Sequence, residues 1–335
     1  MLCVRRTALV FFFVVLGSAA CAAAPALRIS LPPVLESLPI AFAEAWGMFD
    51  AEGLTVDLIG ISDNQERSTA LLTGSLDAVL SDVTSAFLDH SAGRGVAVVA
   101  GLASTPQSNS MRLALVSHQG FGPSNLEDLL SGNQIVGVTY RTDDEYLLDA
   151  FFSTHGAPRA WITRYTYFGD MLQLATWFGA KTLPAAVLPE PYYSYIRVFV
   201  PVGGSAPKLV VLSDFTFVDA PPRVLLFRKE ALQDRGADVA TFLRVVAAAV
   251  ERLNASSRDE IVGVGLDVVL GLFFQGANRA TIQQATIDAI SIPSFGPPEA
   301  LCEKIYTDVG SWMKGKGYLS SVPRFEEFVD ARFLP

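Results

Sequence analysis

From residue 27 onward the chain alternates short apolar runs with amphipathic ones, and this alternation restricts the fold more than any other feature. The apolar runs at 27–31, 54–59, 77–80 and 96–103 are bounded by Gly, Pro or polar residues, so they predict buried strands. Between them, 39–49 and 64–73 predict helices, the second closed by Gly74 as a C-cap. The cycle restarts with strands expected at 135–140, 162–168 and 185–188 and helices at 143–155 and 170–178. Segments 208–212 and 223–227 then lead back into a mostly helical remainder, with helices expected at 237–253, 299–313 and 325–333. Alternating β and α at this spacing predicts an α/β fold, with parallel strands covered by helices. The interrupted cycle predicts two lobes, the second inserted into the first, with the chain crossing near 113–117 and 210–214. The expected organisation is a signal peptide at 1–20, a first lobe at 27–116, a second lobe at 117–212, and a return with C-terminal helices at 213–335. Open α/β sheets bind ligands outside the carboxyl ends of their strands, so the ligand is expected in a cleft between the lobes, with the two crossings as a hinge.

The amino terminus reads as an export address. Arg5 and Arg6 precede an apolar run at 8–16, and small residues follow up to Cys21. Nine residues cannot span ~30 Å of hydrocarbon, which takes about 20 in a helix. The run Ser18-Ala19-Ala20-Cys21 resembles a bacterial lipoprotein box, with Ser18 where that box usually has Leu. Lipidation of Cys21 and ordinary cleavage nearby are the two expectations, and the first would tether the protein to a membrane. Cys3 lies in the signal, which leaves Cys302 without a disulfide partner once Cys21 carries lipid. There is no Cys-x-x-Cys, and His90, His118 and His155 are far apart, so neither a metal nor another cofactor is expected. A net charge of −9 argues against nucleic acid, which demands a basic face.

Four blocks in order carry a family resemblance. Residues 38–54 place Pro39, Ala43, Gly47, Phe49, Gly53 and Leu54 as in the opening helix and turn of the nitrate/taurine/aliphatic-sulfonate and thiamine-precursor family of solute-binding proteins. Residues 70–78 (ALLTGSLDA) resemble its helix-to-strand turn. Leu126-Glu127-Asp128-Leu129 with Ile135-Val136-Gly137-Val138 resembles its entry to the second lobe. Residues 185–192 (AAVLPEPY) resemble its "D-A-a-v-l-p-E-P-y", although the preceding Gly-x-x-Asp is replaced by Gly179-Ala180-Lys181-Thr182-Leu183-Pro184. The resemblance covers most of 27–255. It implies a two-lobed periplasmic-binding-protein-like fold of type II. It also implies a monomeric receptor that takes a small molecule and delivers it to an ABC permease and its ATPase. The ligand classes implied are a thiamine-precursor-like pyrimidine and a sulfonate- or nitrate-type anion. The alternative is an enzyme on the same fold, pyrimidine synthase- or desulfinase-like, which needs a reactive His or Cys in the cleft.

The β→α turns supply the candidate ligand-binding residues. In the first lobe these are Ser37, Leu38, Asn64, Asp82 and Thr84; short polar side chains there serve either a ligand or the caps of their own helices. In the second lobe they are Tyr140, Arg141, Thr142 and Asp170. A helix start suits an anion, and Arg141 adds a bidentate donor for sulfonate or carboxylate. Glu190 is a candidate acceptor for an amino group, or a cap on nearby amides, and Tyr192 offers an aromatic face to a planar ring. Trp46, at helical spacing from Phe42 and Phe49, is expected in the core.

Overall fold

The computed structural model describes residues 25–93, 95–105, 112–131, 134–157, 164–198, 206–215, 219–264, 266–273, 284–289 and 292–335. The signal-like segment and Cys21 lie outside them. Along the chain the strands are β1 (Leu27–Leu31), β2 (Val56–Gly60), β3 (Ala78–Ser81), β4 (Val96–Leu102), β5 (Ser104–Thr105), β6 (Leu113–His118), β7 (Val136–Thr139), β8 (Tyr165–Phe168), β9 (Ala185–Pro189), β10 (Leu209–Ser213), β11 (Arg223–Arg228) and β12 (Ser294–Phe295). They build two five-stranded sheets, ordered β2-β1-β3-β11-β4 and β10-β6-β9-β7-β8, with β5 and β12 forming a small pair.

The sheets are mixed rather than wholly parallel. β1 runs parallel to β2 and β3, but β11 is antiparallel to β3 and β4. In the second sheet β7 is parallel to β8 and β9, whereas β6 is antiparallel to β9 and β10. The reversed strands are those next to the crossings, where the chain enters a sheet from the other one instead of from a covering helix. The segments read as bare crossings, 113–117 and 210–214, fall within β6 and around β10.

The predicted helix 39–49 is two helices, Leu38–Ala45 and Met48–Ala51. Gly47 breaks it with φ +65°, a left-handed conformation that glycine adopts without steric cost. That break turns Phe49 inward to stack on Phe242 at 5.2 Å, which docks helix Gly236–Ala255 on the first sheet. Trp46 is only partly buried, with the Arg252 guanidinium 3.9 Å over its ring.

The apolar core does not stop at the boundary between the sheets. Val79, Val98 and Leu226 of the first sheet share one buried cluster with Leu115, Val138 and Val187 of the second. Tyr306, Val309 and Met313 of helix Glu303–Lys316 extend it, and Phe87 stacks on Phe328 at 4.3 Å. Each such side chain contributes about 1.5–3 kcal/mol by leaving water. No helix among the described residues is long and apolar enough to cross a membrane.

One glycine is sterically obligatory. A Cβ on Gly122 would lie 2.0 Å from the Pro184 carbonyl oxygen, and neither backbone can yield without moving β9. Gly122→Ala is therefore expected to destabilise by at least about 2 kcal/mol, read as a lower urea midpoint; an unchanged midpoint would contradict this packing.

Candidate functional site

Helix Asp143–Thr154 starts with Asp143, Asp144 and Glu145. Acidic residues suit the positive end of a helix, but these three are buried and reach outward. Asp143 accepts hydrogen bonds from the Val83 N–H (3.1 Å), the Thr84 N–H (3.0 Å) and the Thr84 hydroxyl (2.7 Å). It thereby sits on the N-terminus of helix Val83–Ser91, which follows the first sheet's β3. Asp144 accepts from the Thr139 hydroxyl and lies 3.9 Å from Arg223 on β11; Arg223 is also 3.8 Å from Asp82. Glu36 completes the group, paired with Arg112 at 3.1 Å and accepting from Ser104 at 2.7 Å. The carboxylates Glu36, Asp82, Asp143 and Asp144 thus outnumber Arg112 and Arg223, the guanidiniums they surround. A third buried guanidinium, Arg67, has Asp82 as its first charge partner and donates to the carbonyls of Ile61 and Ser62 and to Asn64.

Burial dominates the charges of this cluster. Burial, with Asp143 beside it, pushes Asp82 up to about 6 despite Arg223 and the Ser85 hydrogen bonds. Burial likewise raises Asp143 and Asp144, with Arg223 offsetting only part. For Glu36 burial is outweighed by Arg112, Arg223 and Ser104, so its carboxyl is held below the ordinary range.

The cavity lies beside this cluster. Its volume is about 560 Å³, and it takes walls from both sheets. Asp63, Asn64, Ser68, Thr69, Ser85 and Asp89 come from the first; Tyr140, Arg141, Tyr167, Phe168 and Gly169 come from the second. Tyr140 and Tyr167 are 43 % and 37 % exposed, with ring centroids 4.8 Å apart. Arg141 has φ +56°, which costs a residue other than glycine roughly 1 kcal/mol. Its backbone N–H is held by Glu145 at 2.9 Å, and its guanidinium lies 4.9 Å over the rings of both Tyr140 and Tyr318. Its Nε is buried with no hydrogen-bond partner.

Of the expected residues, Asn64, Tyr140 and Arg141 line this cavity. Asp82 caps its own helix through the Ser85 N–H (2.8 Å) and hydroxyl (2.9 Å), and Thr84 is engaged by Asp143. Asp170 caps helix Met171–Gly179 through the Gln173 N–H, next to the cavity wall at Gly169. Thr142 is buried and donates to the Thr139 carbonyl. Ser37 is buried, with its hydroxyl on the Pro32 carbonyl, and Leu38 lies in the first sheet's apolar cluster. Glu190 accepts from the Ser194 N–H and hydroxyl, and burial pushes it up to about 7. Tyr192 is buried, with its hydroxyl 3.5 Å from the Phe273 carbonyl. Sequence reasoning missed Arg223, Arg112, Tyr167 and the roles of Asp144 and Glu145. The three consecutive acids at 143–145 were the one available signal. His118 is buried, with Nε2 on the Phe178 carbonyl, and neither it nor the exposed Cys302 lines the cavity. Among the described residues no group of His, Cys, Asp and Glu is arranged to hold a metal ion.

A pH dependence follows. Carboxyls raised in the folded state add stability that is complete below their unfolded values and is lost as pH rises through their folded ones. For Asp82 that loss spans from near 3.8 to about 6, and for Glu190 from near 4.5 to about 7. Glu36 acts oppositely, its contribution fading as pH falls through the ordinary carboxylate range, and so do His90 and His118, which burial holds below the ordinary imidazole range, so the carboxyls' gain is partly offset below about pH 6.5. The urea midpoint should therefore rise by the equivalent of a few kcal/mol as pH is lowered from about 7.5 to about 5. A midpoint that falls throughout that interval would contradict these environments.

Residues 35–257 match the family described as NMT1/THI5 like. The chain belongs to that family. No protein of curated function matches it in sequence. Among solved structures it is similar to the ligand-binding component of an ABC-type import system from Staphylococcus aureus with zinc bound, at 14 % identity over 92 % of this chain and 97 % of that one (TM-score 0.68). It is also similar to the periplasmic aliphatic sulphonate binding protein SsuA from Escherichia coli, at 14 % identity over 92 % of each chain (TM-score 0.65). A third is a conserved Candida albicans gene product exhibiting the generic periplasmic binding protein fold, at 13 % identity over 93 % of this chain and 98 % of that one (TM-score 0.62). The fold is that of periplasmic binding proteins, two-lobed, with the second sheet inserted between strands of the first.

Proposed function

We propose that the chain is the extracytoplasmic solute-binding component of an ABC importer. It captures one small molecule between the sheets and passes it unaltered to a membrane permease driven by a separate ATPase. The observation that carries this is the cavity of about 560 Å³ walled by both sheets, within the range of small-molecule sites, about 300–1,000 Å³. Each sheet with its helices acts as one lobe, opening about the two connections between the sheets, the one that leads into β6 and the one from β10 to β11, and the solute favours the closed arrangement by touching both. Export follows from the signal at 1–20, with lipidation of Cys21 as the tether. The chain has no G-x-x-x-x-G-K-[ST] phosphate loop, so the energy for transport comes from a partner.

The chemistry of the cavity favours a planar ring that bears both an amino group and a hydrogen-bond acceptor, such as a thiamine-type aminopyrimidine, over a sulfonate. Tyr140 and Tyr167 offer exposed aromatic faces to a ring, Arg141 stands in the same wall for an acceptor, and Asp63 and Asp89 in the facing wall suit an amino group better than a full anion. Calorimetry of ligand-stripped protein with a thiamine-type aminopyrimidine and with an alkanesulfonate decides between them. The ring is expected to bind, and Tyr140→Ala to weaken it at least about tenfold by removing a stacking partner. Binding of the sulfonate alone would overturn the ligand class, and chemical conversion of either compound would overturn the receptor function.

A further inference from the structure

The N-terminus of helix Val83–Ser91 forms an anion cradle: two backbone N–H groups and the Thr84 hydroxyl converge within 3.1 Å of one carboxylate. That carboxylate is the chain's own, delivered by Asp143 from the opposite sheet. A second feature of the same spot is Arg223. Its side chain is nearly fully buried, its contacts with Asp82 and Asp144 at 3.8 and 3.9 Å are longer than hydrogen bonds, and its Nε has no partner. A polar site between the sheets is therefore already supplied with negative charge and holds more of it than its hydrogen bonds require.

Building on the reading that the solute lies between the sheets, we infer that Asp143 is a specificity-determining residue. Its carboxylate fills the cradle of Val83 and Thr84 in the place of a small oxyanion and so bars carboxylate- or sulfonate-bearing solutes from it. The two oxygens of Asp143 already use the donors an incoming oxyanion would need. Such a solute would also lie beside the acidic side chains of Asp82 and Asp144, which Arg223 faces only at 3.8 and 3.9 Å. Solutes that present a neutral or positive group to this side meet no such barrier. Specificity here works by repulsion and occupancy as much as by attraction.

Removing the carboxylate exposes the cradle. Asp143→Ala deletes the carboxylate alone, so the vacancy matches formate. Thermal unfolding is measured against formate, with chloride at equal ionic strength as control, for wild type, Asp143→Ala and Asp143→Ala/Thr84→Val. The expected result is that formate stabilises Asp143→Ala with a midpoint at least about tenfold lower than in wild type, and that the added Thr84→Val weakens the effect. If Asp143→Ala does not accumulate folded, refolding in formate is expected to recover it where chloride does not. Equal formate midpoints in wild type and Asp143→Ala would overturn the inference, as would equal recovery in formate and chloride, or rescue indifferent to Thr84→Val. Formate reads only the cradle, so these outcomes are independent of whether the aminopyrimidine binds.

Discussion

Arg223→Met is expected to remove on the order of 3–5 kcal/mol of stability, the loss typical when one partner of a buried ionic group is taken away. Methionine keeps much of the volume but leaves Asp82, Asp143 and Asp144 buried without the guanidinium that opposes their charge. Arg112 cannot compensate, because it is held on Glu36 at 3.1 Å. The charge of Arg223 is itself secured: burial disfavours it, and Asp144, Glu36, Asp82 and Asp143 more than restore it. The check is urea unfolding of the variant at two pH values. The deficit should shrink as pH is lowered from about 7.5 to about 5, because protonation then supplies what the arginine no longer does. A deficit under about 1 kcal/mol, or one unaffected by pH, would show that the cluster is not held by charge balance.

Lys316→Met is expected to cost a comparable amount at the other face of helix Asp143–Thr154. Lys316 is 8 % exposed and pairs with Glu145 at 2.7 Å and Asp149 at 2.6 Å, Glu145 being wholly buried. Its ammonium also lies 5.3 Å from the Trp312 ring, 5.5 Å from Tyr165 and 5.8 Å from Tyr318, within cation–π range. The hydroxyls of Tyr167 and Tyr318 donate to Glu145, and Trp312 Nε1 donates to Asp149. Helix Glu303–Lys316, which packs on Phe87 through Tyr306, is thereby fastened to the second sheet as well. Breaking that fastening should destabilise by about 2–4 kcal/mol. It should also speed amide exchange in helix Glu303–Lys316 more than in β4. Uniform exchange across both elements would contradict a local role for Lys316.

Elements whose stabilisation is local were legible in the sequence. The buried run of β4 shows no alternation, as a strand covered on both faces should not, and Gly74 ends helix Asn64–Leu72 with φ +77° as its position suggested. At Gly47 the glycine itself signalled a turn before Phe49, but the apolar spacing of Phe42 and Phe49 runs smoothly through it, so the helix was expected to continue to Phe49. The reversed direction of β6 and β11 was hidden because periodicity carries no information on which neighbour a strand joins.

The site was legible where a β→α turn forms a wall by itself, as at Asn64, Tyr140 and Arg141. It was not legible where function depends on partners distant in the sequence. Asp143 meets Thr84 across 59 positions, and Lys316 meets Asp149 across 167, so neither pair has a local pattern to announce it. Asp82 illustrates the ambiguity: an aspartate before a helix caps it or binds a ligand, and only the Ser85 contacts distinguish the two uses.

Whether a solute rides unaltered between the sheets is read by native mass spectrometry of the protein taken gently from its own cells. Beside wild type, the measurement uses Ala92→Trp, which places an indole at the cavity wall. The expected result is one small non-covalent adduct per wild-type chain, released with its mass unchanged, and loss of that adduct in Ala92→Trp. Absence of any adduct, or an adduct held equally by both proteins, would contradict it.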